Sequence, residues 1–400
     1  MNDALIADKR GDRIADGLHV RRHEGRGAMR DLVSPLRSAG LLPAPLVEME
    51  PFYLADGPEE RPGMLVAYRD DQPVAYLPYA LRRTAFRIAI GPTSLGRFPC
   101  GQLIVFGYVG FREDDASILD GFLASLMEID AWDVLQVFEL PADNALARYV
   151  RDPRLARRRG GRAVCRTYDT IHVVLEREFE TYLQRQFTRK TRYNLRREVR
   201  RLDEAAPGQV AVKVYTSVAD VPEFLRHAET IARTTYQRTL GFATLHATES
   251  VVRRTTALAA HASWRSYVLF VQGVPAAYCH GTVRWDSLSY DLVGYDPRFA
   301  RLNPGKVLLH RILEDLHEWR GIGSLEFGRG AAEYKRLFAN GQAVELDATI
   351  YRARPYAQTL RWLAAGADAG YRRLRPLVRP CLPYVKRGIR GLAVRSVSRT

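Results

Sequence analysis

The stretch Leu325–Asn340, LEFGRGAAEYKRLFAN, decides the fold because it joins a strand to a helix through a glycine-rich bend. Its first residues predict a strand, Gly328 and Gly330 predict a sharp turn, and the residues after them predict a helix. The first turn of that helix carries Tyr334 and Lys335. Ionisable side chains just after the end of a strand indicate a candidate functional site.

Another helix is predicted before this strand, within 296–323 (DPRFARLNPGKVLLHRILEDLHEWRGIG). Asn303 suits the N-cap, Pro304 suits the first helical position, and Gly321 is available beyond the end. The predicted buried stripe comprises Leu308, Leu309, Ile312, Leu313 and Leu316.

The beginning of this helix is a candidate phosphate site. Helix N-termini carry unpaired N–H groups and partial positive charge, and Arg298, Arg301 and Lys306 surround this one. The alternative is that Asn-Pro-Gly only starts the helix and that the arginines are solvated.

Three strands are predicted before the helix, in RSYVLFVQG, VPAAYCHGTVRW and SLSYDLVGYD. Their short links, QGVP and RWDS, predict antiparallel neighbours. Upstream, the second half adds the strand QVAVKVY, the helices VPEFLRHAETIARTTY and SVVRRTTALAAHA, and a loop around RTLGFATLHA.

The first half mixes strands and helices, and we expect the chain to divide near residue 170. GMLVAYRDDQPVAYLPYALRR predicts two strands joined by an Asp-Asp-Gln-Pro turn; AFRIAIGPTS, CGQLIVFGY and WDVLQVFELP predict further strands, and ASILDGFLASLMEI predicts a helix. RDPRLARRRGGR, at 151–162, predicts an exposed connection. We therefore expect an α/β (α+β) protein with an N-terminal half at 1–170, a C-terminal half at 171–355 and a basic tail at 356–400.

Composition limits the function classes. The 400 residues are 46% hydrophobic, which predicts a globular protein of two or three domains. Its four cysteines lie far apart without a Cys-x-x-Cys pair, which argues against a zinc site or a dense disulfide framework and favours a reducing cytoplasm. Neither a signal peptide nor a membrane-spanning helix is expected, because no apolar run is long enough.

The formal net charge of +15 is concentrated in two regions. Arg185–Arg201 contains eight Lys/Arg and one acidic residue, Glu198, and predicts one amphipathic helix with a basic outer face. A solvated or substrate-rim face is favoured there over nucleic-acid binding, because no aromatic stacking ladder accompanies the charge.

Tyr351–Thr400 contains twelve Lys/Arg and one acidic residue, Asp368. Apolar residues alternate with the arginines, and prolines predict several short helices. This pattern predicts peripheral contact with an anionic membrane surface. The alternatives are packing along the catalytic domain or partial disorder.

The order of the basic segment TRKTRYNLRREVRRL, the strand pair GVPAAYCHGTV and SLSYDLVGYD, the helix from RLNPGKVLL, and LEFGRGAAEYKRLFAN resembles the long bacterial branch of the GNAT acyltransferases. That branch includes proteins linked to cellulose and exopolysaccharide biosynthesis, and it is similar to the Fem-type aminoacyl-ligases. The resemblance implies tandem GNAT-like units, each with a mixed, mainly antiparallel sheet flanked by helices.

The resemblance also implies a donor site for acetyl-coenzyme A or another acyl-coenzyme A, without a metal. The pantetheine arm would pair with Leu292, Val293 and Gly294. The pyrophosphate would lie at the following turn and helix start, which offer Arg298, Arg301, Asn303, Gly305 and Lys306. This chain departs from the family pattern there, since Gly305 is the single glycine of its phosphate loop.

Acyl transfer needs a base for the acceptor and an acid for the departing thiolate. Tyr334 is the predicted acid, by resemblance, and Lys335 is expected to bind an anionic part of donor or acceptor. Three strand residues, Asp291, Glu326 and His280, are alternative bases, and each has a purely structural alternative. No Gly-x-Ser-x-Gly, P-loop or His-Glu-x-x-His motif occurs in the sequence.

Three function classes follow. The first is an acyl-coenzyme A dependent N- or O-acyltransferase acting on a sugar, a polysaccharide precursor or another small acceptor. The second is an aminoacyl-tRNA dependent ligase of Fem type. The third is a non-catalytic scaffold in polysaccharide export.

Overall fold

The computed structural model describes residues 13–14, 17–41, 60–90, 93–106, 110–111, 116–152, 161–234, 245–284, 286–330 and 332–378. Fourteen strands and ten α-helices lie within these ranges. The strands are β1 (Arg13–Ile14), β2 (Leu18–Glu24), β3 (Glu60–Arg69), β4 (Gln72–Ile90), β5 (Thr93–Phe106), β6 (Gly110–Phe111), β7 (Val134–Pro141), β8 (Gly161–Val174), β9 (Val210–Tyr215), β10 (Ser266–Val271), β11 (Val274–Arg284), β12 (Ser287–Tyr295), β13 (Ser324–Arg329) and β14 (Gly341–Arg352).

The helices flank the sheet formed by these strands. They are α1 (Arg26–Ser38), α2 (Ala116–Glu128), α3 (Ala145–Arg151), α4 (Phe179–Gln186), α5 (Arg189–Ala205), α6 (Val221–Thr234), α7 (Glu249–Ala260), α8 (Pro304–Trp319), α9 (Glu333–Phe338) and α10 (Pro355–Val378). Two short 3-10 helices, Val218–Asp220 and Pro297–Leu302, precede α6 and α8.

All described strands belong to one mixed sheet of order β1-β2-β3-β4-β5-β7-β14-β8-β13-β12-β11-β10-β9, and β6 pairs with β4. The pairs β5–β7 and β12–β13 are parallel, and the other described pairs are antiparallel. The prediction of a mixed, mainly antiparallel α/β architecture is therefore confirmed. Each half contains one parallel pair after an antiparallel run.

The expectation of a separate sheet in each half differs from the structure, because β14 joins the halves. This strand pairs with β7 on one side and along its whole length with β8 on the other. The dividing point at residue 170 falls inside β8, and the last strand of the second half lies beside the first half. Hydrogen bonding across β14 satisfies two strand edges that would otherwise be open.

The predicted hairpin turns form as the sequence indicates. Asp70 and Asp71 have φ of 50° and 58°, and Gln272 and Gly273 have φ of 53° and 73°. Positive φ at both central residues is typical of two-residue turns that match the twist of the flanking strands. Trp285, in the predicted Arg-Trp-Asp-Ser link, lies outside the described residues.

Three predicted elements have different bounds. The segment AFRIAIGPTS does not begin a new strand, since β4 continues through it to Ile90. The basic segment forms two helices, because Phe187 is extended and Thr188 caps α5 by accepting a hydrogen bond from the Thr191 N–H. The predicted loops at 151–162 and around 238–247 lie mostly outside the described residues.

The predicted short helices of the tail are a single helix, α10, as far as Val378. Pro355 occupies its first position, where a missing N–H costs nothing. Leu360 and Ala367 are buried in a core with Ile88 of the N-terminal half and Tyr351 of β14. Residues 379–400 of the predicted tail lie outside the described residues. Among the described residues, no helix has the length and apolar character that crossing a membrane requires.

Two cores enclose the strands β10–β12 and so position the site. On one face, α6 and α7 pack through a core that includes Phe224 and Trp264. On the other face, α8 packs through Leu309 and Ile312, in a core that α4 and α5 extend. The central strands between these cores carry the candidate site.

Candidate active site

The parallel strands β12 and β13 separate at the centre of the molecule. Their ladder contains the pairs Ser287–Ser324, Leu288–Leu325 and Ser289–Glu326, and it ends there. β12 continues to Tyr295 and stays paired with β11. In the described chain, the edge of β12 that faces β13 is therefore without a strand partner beyond Ser289.

The predicted pantetheine residues lie on this open part of β12. Leu292 and Val293 are half-buried, Gly294 is buried, and they lie opposite His280, Cys279 and Tyr278 of β11.

A β-bulge marks the point where the strands separate. His280 lies opposite Leu292 and Gly281 lies opposite Tyr290, so Asp291 is the extra residue of β12. Bulges redirect side chains and are frequent beside active sites. The Thr282 hydroxyl donates a 2.8 Å hydrogen bond to the Asp291 carboxylate.

Asp291 keeps contact with solvent, although neighbouring protein atoms exclude much of the water around its carboxyl. This desolvation raises the pKa of its carboxyl, whereas Arg284 and the Thr282 hydrogen bond act in the opposite direction.

A row of polar residues crosses the sheet at this point. Directly opposite residues share one face of a sheet, and the ladders place Thr282 opposite Ser289, Ser289 opposite Glu326, and Glu326 opposite His172. We call these four residues the polar row. The hydrogen bond from Thr282 places the Asp291 carboxylate beside it.

Glu326 is the half-buried carboxylate of the polar row. Burial is the largest cause that raises the pKa of its carboxyl, and the nearby Asp286 raises it further. The Ser324 hydroxyl donates to it from 3.5 Å and acts in the opposite direction on the pKa. A carboxylate with a raised pKa and no close donor is suited to accept a proton.

His172 is a polar-row residue that sequence reasoning did not select. Its Nδ1 is buried and has no hydrogen-bond partner in the described part of the chain, and burial lowers the pKa of the imidazole. A Cβ atom on Gly341 would lie 2.2 Å from His172 Nε2, so the ring occupies space that only glycine leaves open. A single histidine in a strand carries no signal of this arrangement, because its partners lie on other strands.

His280 lies in a core and not beside the open strand edge. It is 7% exposed, its ring is 5.9 Å from the Phe224 ring, and Nε2 is 3.5 Å from the Thr255 hydroxyl. These contacts support the structural alternative for this residue.

Tyr334 lies on the face opposite the polar row. It is partly buried against the core that contains Tyr290 and Phe327. The proximity of Tyr334 contributes to a raised pKa of Tyr290, after burial and Cys279. Since Tyr290 precedes the bulge, Tyr334 lies near the point where β12 and β13 separate.

Lys335 holds the bend that opens α9. Its ammonium group donates to the Phe327 carbonyl at 2.7 Å and lies 3.5 Å from the Arg329 carbonyl, and burial lowers its pKa. Gly328 and Gly330 have φ of 61° and 91°, which explains why the bend requires glycine. Lys335 therefore contacts the protein backbone, a position different from the anion-binding role expected for it.

Arg329, between these glycines, anchors the bend to the first half. Its guanidinium lies 3.9 Å from the centre of the Tyr168 ring and donates to the Asp347 carboxylate at 2.6 Å. Tyr168 also donates to Asp347 at 3.0 Å.

The start of α8 carries less free positive charge than the sequence indicates. Lys306 is paired with Glu198 of α5 at 2.9 Å, and Arg298 donates to the buried Asp296 at 2.6 Å. Arg301 is exposed and makes no ion pair or hydrogen bond among the described residues.

Asn303 precedes α8 in the left-handed conformation, with φ of 50°, and its side chain makes no capping hydrogen bond. The predicted cap position is therefore right, but the predicted capping contact is absent. A Cβ on Gly305 would meet the Tyr295 ring at 3.7 Å, an ordinary contact, so Gly305 is not required there by packing.

A contact between the halves lies near Asp291, which is bonded to the polar row. Arg284 of β11 donates to Glu139 of β7 at 2.9 Å. Glu139 has φ of 55° at a bulge where β7 pairs with β14. Sequence reasoning missed this pair because 145 positions separate its members. Among the described residues, no group of three or more His, Cys, Asp or Glu side chains could hold a metal ion.

Residues 189–336 match the acetyltransferase (GNAT) domain family. No curated protein matches the sequence. The structure is similar to that of FemX, with a TM-score of 0.54, 9% identity, and coverage of 79% of this chain and 98% of FemX.

Two further solved structures are similar more loosely. The C-terminal domain of a putative lysylphosphatidylglycerol synthetase from Agrobacterium fabrum has a TM-score of 0.49 and 12% identity, covering 84% of this chain and 96% of that one. A tandem GNAT protein from the clavulanic acid biosynthesis pathway has a TM-score of 0.48 and 13% identity, covering 84% and 99%.

At these identities the structural likeness concerns the fold alone, and the family match concerns the region that contains β12, α8, β13 and most of α9. Residues 189–336 of this chain are thus similar to the acetyltransferase (GNAT) domain family.

Proposed function

We propose that this protein transfers an acyl group from an acyl-coenzyme A to an amine or hydroxyl of a small or saccharide acceptor. The observation that carries the proposal is the separation of β12 from β13 at Glu326, with Asp291 bonded to Thr282 of the polar row and Tyr334 on the opposite face. An open strand edge between a candidate base and a candidate acid is the arrangement that thioester aminolysis or alcoholysis needs.

The donor has a place to bind along this edge. Backbone groups of Leu292, Val293 and Gly294 are available to the pantetheine amides, and the partial positive charge at the start of α8 favours a pyrophosphate. Arg301 supplies a cation without a competing partner in the described chain, whereas Glu198 already neutralises Lys306. Arg301 is therefore the side chain that contributes most to donor binding.

Glu326 acts as the base. As the acceptor nitrogen or oxygen attacks the thioester carbonyl, its proton passes to the Glu326 carboxylate, directly or through one water. The bond between carbonyl carbon and sulfur then breaks, and the Tyr334 hydroxyl gives its proton to the thiolate. Asp291 is the less suitable base, because its carboxylate already accepts from Thr282 and lies near Arg284.

Isothermal titration of the purified protein with acetyl-, succinyl- and longer acyl-coenzyme A tests the donor. Wild-type protein binds at least one of them saturably, and Arg301→Glu weakens that binding at least tenfold. The control is Arg177→Glu, another exposed arginine without a partner among the described residues, which leaves the affinity within twofold. Equal affinities in all three proteins, or no binding, contradict the donor site.

The acceptor is an intermediate of cell-envelope or exopolysaccharide biosynthesis in a bacterial cytoplasm, as the sequence resemblance implies. The basic residues after α10 bring the enzyme to the anionic inner surface of the membrane. Exposed Trp362 and Leu363 on α10 support this contact. Cosedimentation of the full chain with phosphatidylglycerol vesicles, but not with phosphatidylcholine vesicles, is the expected result; equal recovery in both supernatants contradicts it.

An aminoacyl-tRNA donor is the second candidate, because the fold is similar to FemX and α5 presents a basic face. Binding of aminoacyl-tRNA together with no binding of any acyl-coenzyme A would favour it. A scaffold function is the third candidate, and it would be favoured if Glu326→Gln and Tyr334→Phe both complement a deletion strain fully.

A further inference from the structure

A cleft lies between α10 and the sheet, beside the candidate active site. Its volume is about 540 Å³, and its floor is formed by residues of β4, β7, β14, β8 and β13. This volume lies within the range of small-molecule binding sites, roughly 300–1,000 Å³. We call it the α10 cleft.

The α10 cleft is positively charged. Its lining includes five arginines and two aspartates, and neither lysine nor glutamate. Both aspartates are neutralised, since Asp347 pairs with Arg329 and Asp368 pairs with Arg166. Since arginines outnumber aspartates, the lining has a net positive charge, to which Arg361 and Arg372 contribute without an acidic partner among the described residues.

Arg372 is the most available of these cations. It is exposed on α10 and has no ion pair or hydrogen bond among the described residues. Planar guanidinium groups bind phosphate and carboxylate through paired hydrogen bonds, so this wall favours an anionic group.

The remaining surface of the cleft is aromatic and aliphatic. Phe86 of β4 and Phe138 of β7 are half-buried, and Tyr371 of α10 is 37% exposed. Rings that stay partly open to a cleft can stack on the apolar faces of sugar rings, and they bind a ligand body that a purely ionic site would not hold.

The cleft leads to the polar row. Arg329 and Asp347 line it, and Arg329 lies three residues after Glu326 on β13. At about 3.3 Å per residue, the end of the cleft is roughly 10 Å from Glu326 along the strand. A ligand that fills the cleft can therefore extend to the candidate base.

We infer that the α10 cleft binds the anionic part of the acceptor, a saccharide that carries a phosphate or a carboxylate. The anion contacts Arg372, the sugar rings lie against the aromatic side chains, and the reacting amine or hydroxyl points along the sheet towards Glu326. This inference rests on the proposed acyltransferase function, and it assigns the substrate class and the role of α10 in that function.

Binding of trehalose 6-phosphate and trehalose to the full-length protein tests the inference by titration calorimetry. The two probes differ by one phosphate, so the comparison isolates the anionic group. The variants are Arg372→Glu and its neighbour Arg373→Glu, which is equally an exposed arginine of α10 but does not line the cleft. Neither substitution removes a buried contact, so both variants are expected to fold.

Wild-type protein and Arg373→Glu bind trehalose 6-phosphate at least tenfold more tightly than trehalose, and Arg372→Glu loses this preference. Equal weakening by both variants, equal binding of both sugars, or no binding of the phosphorylated sugar overturns the inference. Titration of each protein with acetyl-, succinyl- and longer acyl-coenzyme A is the separate readout. If wild type binds none of them, the proposed function fails. If donor binding is normal and Arg372→Glu has no effect on the sugar preference, only the cleft assignment fails.

Discussion

At the scale of single residues, Glu326 combines a cost to stability with a catalytic use. The folded protein raises the pKa of this carboxyl, mainly by burial, so the ionised form is disfavoured relative to the unfolded chain. A group of this kind favours folding while it is protonated, and that contribution is lost as pH rises from the unfolded pKa through the raised folded pKa. The same shift brings the base closer to the pH at which it must accept protons.

The substitution Glu326→Gln is expected to separate these two effects. Its turnover falls about 100-fold or more because an amide cannot accept the acceptor proton. At pH 7 its melting temperature is higher than that of wild type, and the difference disappears below about pH 4, where the carboxyl is protonated in both states. Thermal melts across this pH range and steady-state rates check both points.

Asp291→Asn is the matched comparison, since it also removes a carboxylate beside the polar row. Its loss of turnover is at least tenfold smaller than that of Glu326→Gln. The opposite order would assign the base to Asp291.

Gly341 controls the position of His172. An added Cβ would lie 2.2 Å from His172 Nε2, so Gly341→Ala forces the ring out of the polar row. We expect a tenfold or greater loss of turnover, together with a changed imidazole shift in the NMR spectrum.

Gly366→Ala, in α10, serves as the control, because a Cβ added at Gly366 would have no neighbouring atom within 4 Å. It leaves turnover unchanged and stabilises the helix by about 0.5–1 kcal/mol. Unchanged turnover in Gly341→Ala would show that the position of His172 does not matter for catalysis.

At the scale of elements, local signals decided which predictions succeeded. The bend in LEFGRG was predictable because its glycines are required by the positive φ of Gly328 and Gly330. The hairpins at Asp70–Asp71 and Gln272–Gly273 were predictable because Asp and Gly are common turn residues that tolerate positive φ. The break between α4 and α5 was not predictable, because the N-cap Thr188 lies inside a segment whose apolar residues otherwise have helical spacing.

The helix α10 is the element that the sequence described least well. Its prolines indicated several short helices, but packing of Leu360 in a core of the N-terminal half accompanies one continuous helix. Tertiary burial outweighs local propensity in such cases. The sequence of α10 does not predict which surface the helix packs against. The α10 cleft could therefore not be predicted from the sequence.

Leu360→Ala tests whether α10 is integral to the fold. Leu360 is fully buried, and its truncation is expected to cost roughly 2–5 kcal/mol in the free energy of unfolding. Leu363 of the same helix is 44% exposed, and Leu363→Ala is expected to change the free energy of unfolding by about 0.5 kcal/mol or less. Urea denaturation followed by circular dichroism compares the two, and equal effects would contradict the packing of α10.

At the scale of the whole molecule, β14 joins the strands of the first and second halves into one sheet. The mixed, mainly antiparallel architecture was predictable from strand periodicity and from the family resemblance. The joining of the halves was not, because the pairing of β14 with β7 connects segments some 200 residues apart, and periodicity carries no information about register between distant strands. The contact between Arg284 and Glu139 could not be predicted for the same reason, since it also joins segments far apart in the sequence.

Since β14 pairs with strands of both halves, the halves are expected to unfold together. Trp132 is buried in the first half and Trp264 in the second. Incorporation of 5-fluorotryptophan allows each residue to be followed by fluorine NMR during urea denaturation. One shared midpoint is expected, and two midpoints would show that the β14 ladder does not couple the halves.

The central claim is that an acyl donor binds where β12 separates from β13. Hydrogen–deuterium exchange with and without acetyl-coenzyme A tests it most directly, because a donor on the open edge of β12 must shield the backbone there. The account predicts slower exchange in residues 291–306 and 326–335, and unchanged exchange in β3 and β4. Donor binding without protection of β12, or protection confined to the N-terminal half, would contradict it.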